Sequence, residues 1–175
     1  MSELFTGVKR DFYKNGKLRS EVFMCNRKKE GEYKYFYDNG QLWKHCFYVN
    51  GKLEGEYKEF YEDGQLDKQC FYVNDMLEGE YKSFHENGQL YEHCFYVNGK
   101  EEGHKRVFYD NGQLKYEIYM FNDKEEGEYN EFYYNGQLWV NCFYVNGELE
   151  GEYNRYYDNG QLRYTYLYVN GKKVD

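Results

Sequence analysis

The sequence predicts an all-β repeat protein: an elongated antiparallel meander of about fourteen strands, built from seven 24-residue β-hairpin units. Three observations predict it. First, residues recur in steps of 24: Gly7, Gly31, Gly55, Gly79, Gly103, Gly127 and Gly151, and equally Leu18, Leu42, Leu66, Leu90, Leu114, Leu138 and Leu162. A fixed period of this size marks a repeat architecture. Second, each repeat holds two turn signals, such as Asn39-Gly40 and Asn50-Gly51, the strongest short hairpin signal. Third, the runs between turns are rich in Tyr, Phe and Val and too short for a crossover helix. The chain has no Pro, and Pro would remove a ladder donor.

The element order follows. Residues 1–6 form a lead-in. A single array then runs over 7–174, with repeats at 7–30, 31–54, 55–78, 79–102, 103–126, 127–150 and 151–174. If both turns have two-residue loops, Tyr37 faces Leu42, Tyr33 faces Cys46, Tyr48 faces Leu53, Cys46 faces Gly55 and Lys44 faces Tyr57. One face then carries Tyr33, Tyr37, Leu42, Cys46, Tyr48, Leu53 and Gly55. The other carries Lys34, Phe36, Trp43, His45, Phe47, Val49 and Glu54. Side chains alternate with period two, so one extra loop residue would exchange part of this list. A three-residue loop with a glycine bulge over Asp38-Asn39-Gly40 is the alternative. At the Gly55 position, the missing side chain would let rings from neighbouring strands lie over bare backbone.

Composition narrows the function. Of 175 residues, 24 are Tyr and 13 are Phe, yet charged residues make up 31% and the net charge is -8. An acidic chain opposes phosphate binding, so no nucleic-acid partner is expected, and anionic membrane surfaces are disfavoured. No apolar run is long enough to span a bilayer, and the N-terminus shows no secretory signal. Free thiols would then place the chain in the reducing cytoplasm.

The pattern Gly31-Glu32-Tyr33-Lys34-Tyr35-Phe36-Tyr37-Asp38-Asn39-Gly40-Gln41-Leu42, followed by Phe47-Tyr48-Val49-Asn50-Gly51, resembles the variant MORN repeat found in bacteria and large DNA viruses. The resemblance covers essentially the whole chain, although the Gly-x-Gly core of the ordinary MORN unit is absent. It implies a sheet of stacked hairpins and an interaction role: a non-enzymatic scaffold binding another protein. Its alternatives are a peripheral membrane module or a toxin-neutralising partner.

No catalytic, metal or cofactor site is expected. Cys46, Cys70, Cys94 and Cys142 share one repeat position, and equivalent positions in adjacent repeats lie two strands, about 10 Å, apart, beyond disulfide reach. The histidines, His45, His85, His93 and His104, read as ordinary sheet residues. The periodic glutamates Glu54, Glu78, Glu102, Glu126 and Glu150 read as solubilising. Departures from the repeat are more informative. His104-Lys105-Arg106 is a local basic cluster inside the array, a candidate site for an acidic partner. Trp43, Tyr91 and Trp139 occupy a position that is otherwise Arg19, Asp67, Lys115 and Arg163, and are candidate partner anchors. A homodimer through the C-terminal edge strand is a further expectation, with Tyr164, Tyr166, Leu167 and Tyr168 as its edge. The competing arrangement is that residues 171–175 fold back and cap it.

Overall fold

The computed structural model describes residues 5–174. Among these there is no helix; every element is a strand. The chain divides into two compact units, Met1–Gly88 and Gln89–Asp175. In the first, β1 (Gly7–Phe12), β2 (Leu18–Cys25), β3 (Lys28–Phe36), β4 (Leu42–Val49), β5 (Lys52–Leu53), β6 (Gly55–Phe60), β7 (Leu66–Val73), β8 (Met76–Leu77) and β9 (Gly79–Phe84) form an antiparallel meander. The second repeats the pattern with β10 (Leu90–Val97), β11 (Lys100–Glu101), β12 (Gly103–Phe108), β13 (Leu114–Phe121), β14 (Lys124–Phe132), β15 (Leu138–Val145), β16 (Glu148–Leu149), β17 (Gly151–Tyr156), β18 (Leu162–Val169) and β19 (Lys172–Val174). The count is nineteen rather than about fourteen. After Asn50, Asn74, Asn98 and Asn146 the strand is broken near the repeat glycine, which splits off the short pieces β5, β8, β11 and β16, whereas β3 and β14 run through unbroken. The terminal β19 is one more.

The two turns differ. Asn50 and Gly51 have φ of 52° and 88°, the positive pair that a two-residue type I′ loop needs. Tyr48 accordingly pairs with Leu53. At the other end the three-residue alternative holds. The Tyr37 N–H donates to the Gln41 carbonyl at 2.8 Å and the Gly40 N–H to the Tyr37 carbonyl at 3.0 Å, leaving Asp38-Asn39-Gly40 as the loop. Tyr37 therefore does not face Leu42; Phe36 does. The register then shifts once more, because Tyr35 pairs with Lys44 and Trp43 is the extra, bulged residue. The two one-residue shifts cancel, and Tyr33 meets Cys46 as expected.

A second correction concerns Gly55. Lys44 pairs with Glu59, and His45 with Lys58. Cys46 is thus not opposite Gly55, nor Lys44 opposite Tyr57. Two residues are taken up between the Glu54 N–H bond to the Phe47 carbonyl and the resumed ladder. A shift of two keeps every side chain on its face. Gly55 has φ of 91°, and a Cβ there would meet nothing closer than Phe47 Cβ at 4.0 Å. The glycine is needed for its backbone conformation, not for a ring passing over it.

The inner face of each unit carries the core. Val22, Cys46, Tyr57 and Cys70 are buried in the first unit, and Cys94, Val107, Ile118, Met120, Val140 and Cys142 in the second. Small thiols fill the spaces between tyrosine rings, which is why a chain so poor in aliphatics has a core at all.

Candidate functional site

On the inner face of the first unit, Cys46, Tyr57 and Cys70 form a buried cluster, closed by Tyr33, Tyr48, Leu53, Tyr72, Leu77 and Tyr81. The Tyr33 and Tyr48 rings meet edge-on at 5.8 Å, and the Lys29 ammonium sits 4.2 Å from the first centroid and 4.6 Å from the second. Glu59 receives Lys68 at 2.7 Å, Lys44 at 3.0 Å and the Tyr57 hydroxyl at 2.5 Å. Burial acts to raise the Glu59 carboxyl, but the hydrogen bonds from Lys68, Tyr57 and Lys44 overcome it and hold the group down at about 2. Burial pushes the thiols of Cys46 and Cys70 up to about 11 and those of Cys94 and Cys142 up to about 12. All five cysteines are free, and these four are neutral near pH 7, poor nucleophiles by that fact.

The basic cluster does not present one surface. Successive strand residues alternate in direction, so Lys105 turns inward while His104 and Arg106 turn outward. Lys105 Nζ lies 2.7 Å from Glu101 and 3.0 Å from Glu92. His104 packs against the Tyr119 ring at 5.3 Å, and Arg106 pairs with Glu117 at 3.3 Å. Glu92, Cys94 and Glu101 converge closely enough to suggest a metal cluster, yet the Lys105 ammonium already meets both carboxylates.

Trp43 is the bulged residue of its ladder, and the same repeat position is bulged at Arg19, Asp67, Lys115, Trp139 and Arg163. A bulged residue has no ladder partner, which frees its identity. It also joins the inner side, contrary to the expected face list: Trp43 lies 5.1 Å from Tyr35 and 5.9 Å from Tyr37. Trp139 packs on Tyr133 at 5.8 Å and under the Arg155 guanidinium at 4.9 Å. Tyr91 is exposed.

The C-terminal edge is partly closed. β19 pairs Leu167 with Val174 and Tyr168 with Lys173, and Lys173 Nζ sits 3.5 Å over the Tyr166 ring. The fold-back arrangement is the one present. Tyr164 and Tyr166, with rings 4.7 Å apart, have no ladder partner on β19. Of the lead-in, Met1–Leu4 lie outside the described residues; the Phe5 carbonyl accepts the Arg27 N–H at 3.5 Å.

Two bonding ladders escaped sequence reading. Turn tyrosines donate to a carbonyl 23 residues on: Tyr37 to Phe60, Tyr61 to Phe84, Tyr109 to Phe132 and Tyr133 to Tyr156, at 2.6–2.8 Å. The repeat glutamates are not merely solubilising. Glu54 accepts the Asn74 N–H, Glu126 the Asn146 N–H and Glu150 the Asn170 N–H, each at 2.8 Å. Glu101, Met120 and Glu125 were also passed over. Their signal was departure from the consensus, since two repeats earlier these positions are Leu53, Tyr72 and Leu77.

No helix of the described residues is long and apolar enough to cross a membrane. No curated protein matches the chain significantly. The family model described as the MORN repeat variant matches seven times in succession, at residues 5–26, 29–50, 53–74, 77–98, 101–123, 125–146 and 149–170. With those matches spanning most of its length and the stacked hairpins beneath them, the chain belongs to the MORN repeat variant family.

Proposed function

We propose that the chain is a non-enzymatic interaction protein whose aromatic β surface binds another protein. One observation carries this. On the outer face of the second unit, Phe95, Tyr119, Phe143 and Leu167 stand on β10, β13, β15 and β18 with 39–48% of their surface open to water. Scattered apolar residues are normal on a surface, but a row repeated on every long strand of one kind is the mark of a contact face. Aromatic rings there supply contact area at low rotamer cost. The net charge of -8 favours a protein partner over nucleic acid or an anionic bilayer.

The test compares wild type with Phe95→Asp plus Phe143→Asp in affinity capture from the native host, alongside flotation with anionic vesicles. A partner held by wild type and lost by the double variant supports the reading. Equal capture by both, no specific capture, or flotation with the vesicles overturns it.

A further inference from the structure

The inner faces of the two units carry the same positions with different chemistry. In the first unit, Leu53, Tyr57, Cys70, Tyr72, Leu77 and Tyr81 pack together around the buried thiols. Two repeats later these positions are Glu101, Lys105, Ile118, Met120, Glu125 and Tyr129. Two rings and two leucines are gone, and a hollow of about 530 Å³ opens where they would pack, lined by all six of those later residues together with Tyr116, Asp123 and Tyr144. Five departures from the repeat, scattered over 25 residues of sequence, thus converge on one place. Drift on a solvated strand has no reason to do that.

The chemistry of the hollow is specific. Its floor is apolar: Ile118 and Met120 are 3% and 6% exposed. Its wall is aromatic: Tyr129 lies 5.8 Å from Tyr116 and 6.0 Å from Tyr144, the second pair nearly perpendicular. Its charge is negative. Glu101 is paired with Lys105, and Asp123 Oδ1 is engaged by the Glu101 N–H at 2.7 Å. The Glu125 carboxylate has no hydrogen bond or ion pair among the described residues.

We propose that this hollow binds an organic cation, an alkylammonium or guanidinium group on an apolar stem. Ring faces attract such a group, the carboxylates Glu125 and Asp123 neutralise it, and Ile118 and Met120 receive the stem. A hard divalent ion would need a shell of oxygens that tyrosine rings and a methionine do not give. An anion would meet a net negative site. The volume falls in the ordinary range for small-ligand pockets. The cation comes either as a free small molecule or as a lysine or arginine side chain of another protein. The proposal stands apart from the protein-binding reading, which rests on the outer face.

The test is proton NMR titration of the full chain with choline, with the peptide acetyl-Gly-Lys-Gly-amide, and with tert-butanol as a neutral control, following the Met120 methyl. Saturable shifts with choline or the peptide, and not with tert-butanol, are expected; the tighter of the two identifies the source. Met120→Tyr plus Glu125→Leu restores the residues of the first unit and should weaken binding at least about tenfold. Glu125→Gln keeps the shape and should weaken it severalfold, so the charge is tested even if the double variant folds poorly. Absence of saturation with both cations, equal binding of tert-butanol, or unchanged binding by Glu125→Gln overturns the proposal.

Discussion

The Tyr37 hydroxyl donates to the Phe60 carbonyl at 2.8 Å, so the turn of one repeat is fastened to the β6 end of the next. That carbonyl belongs to the residue at which the β6–β7 ladder shifts register. Tyr37→Phe removes the donor and keeps the ring. A loss of about 1 kcal/mol is expected from one such bond, read as a lowered midpoint in urea unfolding. An unchanged midpoint would mean water replaces the phenol without cost.

Gly79 has φ of 77°, and nothing lies within 4 Å of where its Cβ would be. Its replacement is a test of conformation with crowding removed. Gly79→Ala should cost about 1–2 kcal/mol, and Gly79→Asn clearly less, because Asn tolerates the left-handed region. Equal losses for the two variants would contradict the conformational account.

The thiols give a pH dependence with a definite sign. Cys46 and Cys70 are raised to about 11, Cys94 and Cys142 to about 12, all by burial. The folded state therefore holds protons that the unfolded chain releases above about pH 8.5. Their contribution is complete below that pH and is lost as pH rises toward 11–12. Urea midpoints should hold from pH 7 to about 8.5 and fall progressively from there to about 10.5. At pH 8, iodoacetamide should modify half-buried Cys25 well before the other four; uniform labelling would show the inner face to be open.

Residues Lys172–Val174 cover the upper part of the last long strand. Deleting 171–175 uncovers Leu167–Val169 and leaves an unguarded edge. Sedimentation velocity should show the truncated chain associating at concentrations where the full chain does not. Identical behaviour of the two would mean that the edge is blunt without its cap.

The faces were legible in the sequence for a reason that the register makes plain. Facing depends only on whether a residue is odd or even along its strand. The third loop residue at Asp38, the alternative the sequence offers, and the unforeseen bulge at Trp43 cancel, and the two residues absorbed at Gly55 preserve parity. Tyr33, Cys46 and Tyr48 therefore land where alternation puts them. Trp43 and Leu42 do not, because the bulge breaks alternation at Trp43 and Leu42 beyond it pairs with Phe36, on the other face. Lys105 shows the opposite difficulty. Read along the chain it belongs with His104 and Arg106; across the sheet its neighbours are Glu92 and Glu101. The hollow could not be seen along the chain either, since Glu101, Met120 and Glu125 become neighbours only once three strands lie side by side.

The two ladders run between opposite ends of neighbouring repeats. At one end a tyrosine donates forward, as Tyr109 does to Phe132. At the other an asparagine N–H donates backward, as Asn146 does to Glu126. Repeats that carry both the turn tyrosine and the asparagine thus present the same two sockets and the same two plugs to their neighbours. A gene encoding such a chain can gain or lose 24 codons at a stroke, joining plug to socket as before. A gain or loss of twelve would set plug against plug. The length of this protein is in that sense a whole-number property, open to change by unequal exchange between like segments and closed to change by smaller steps.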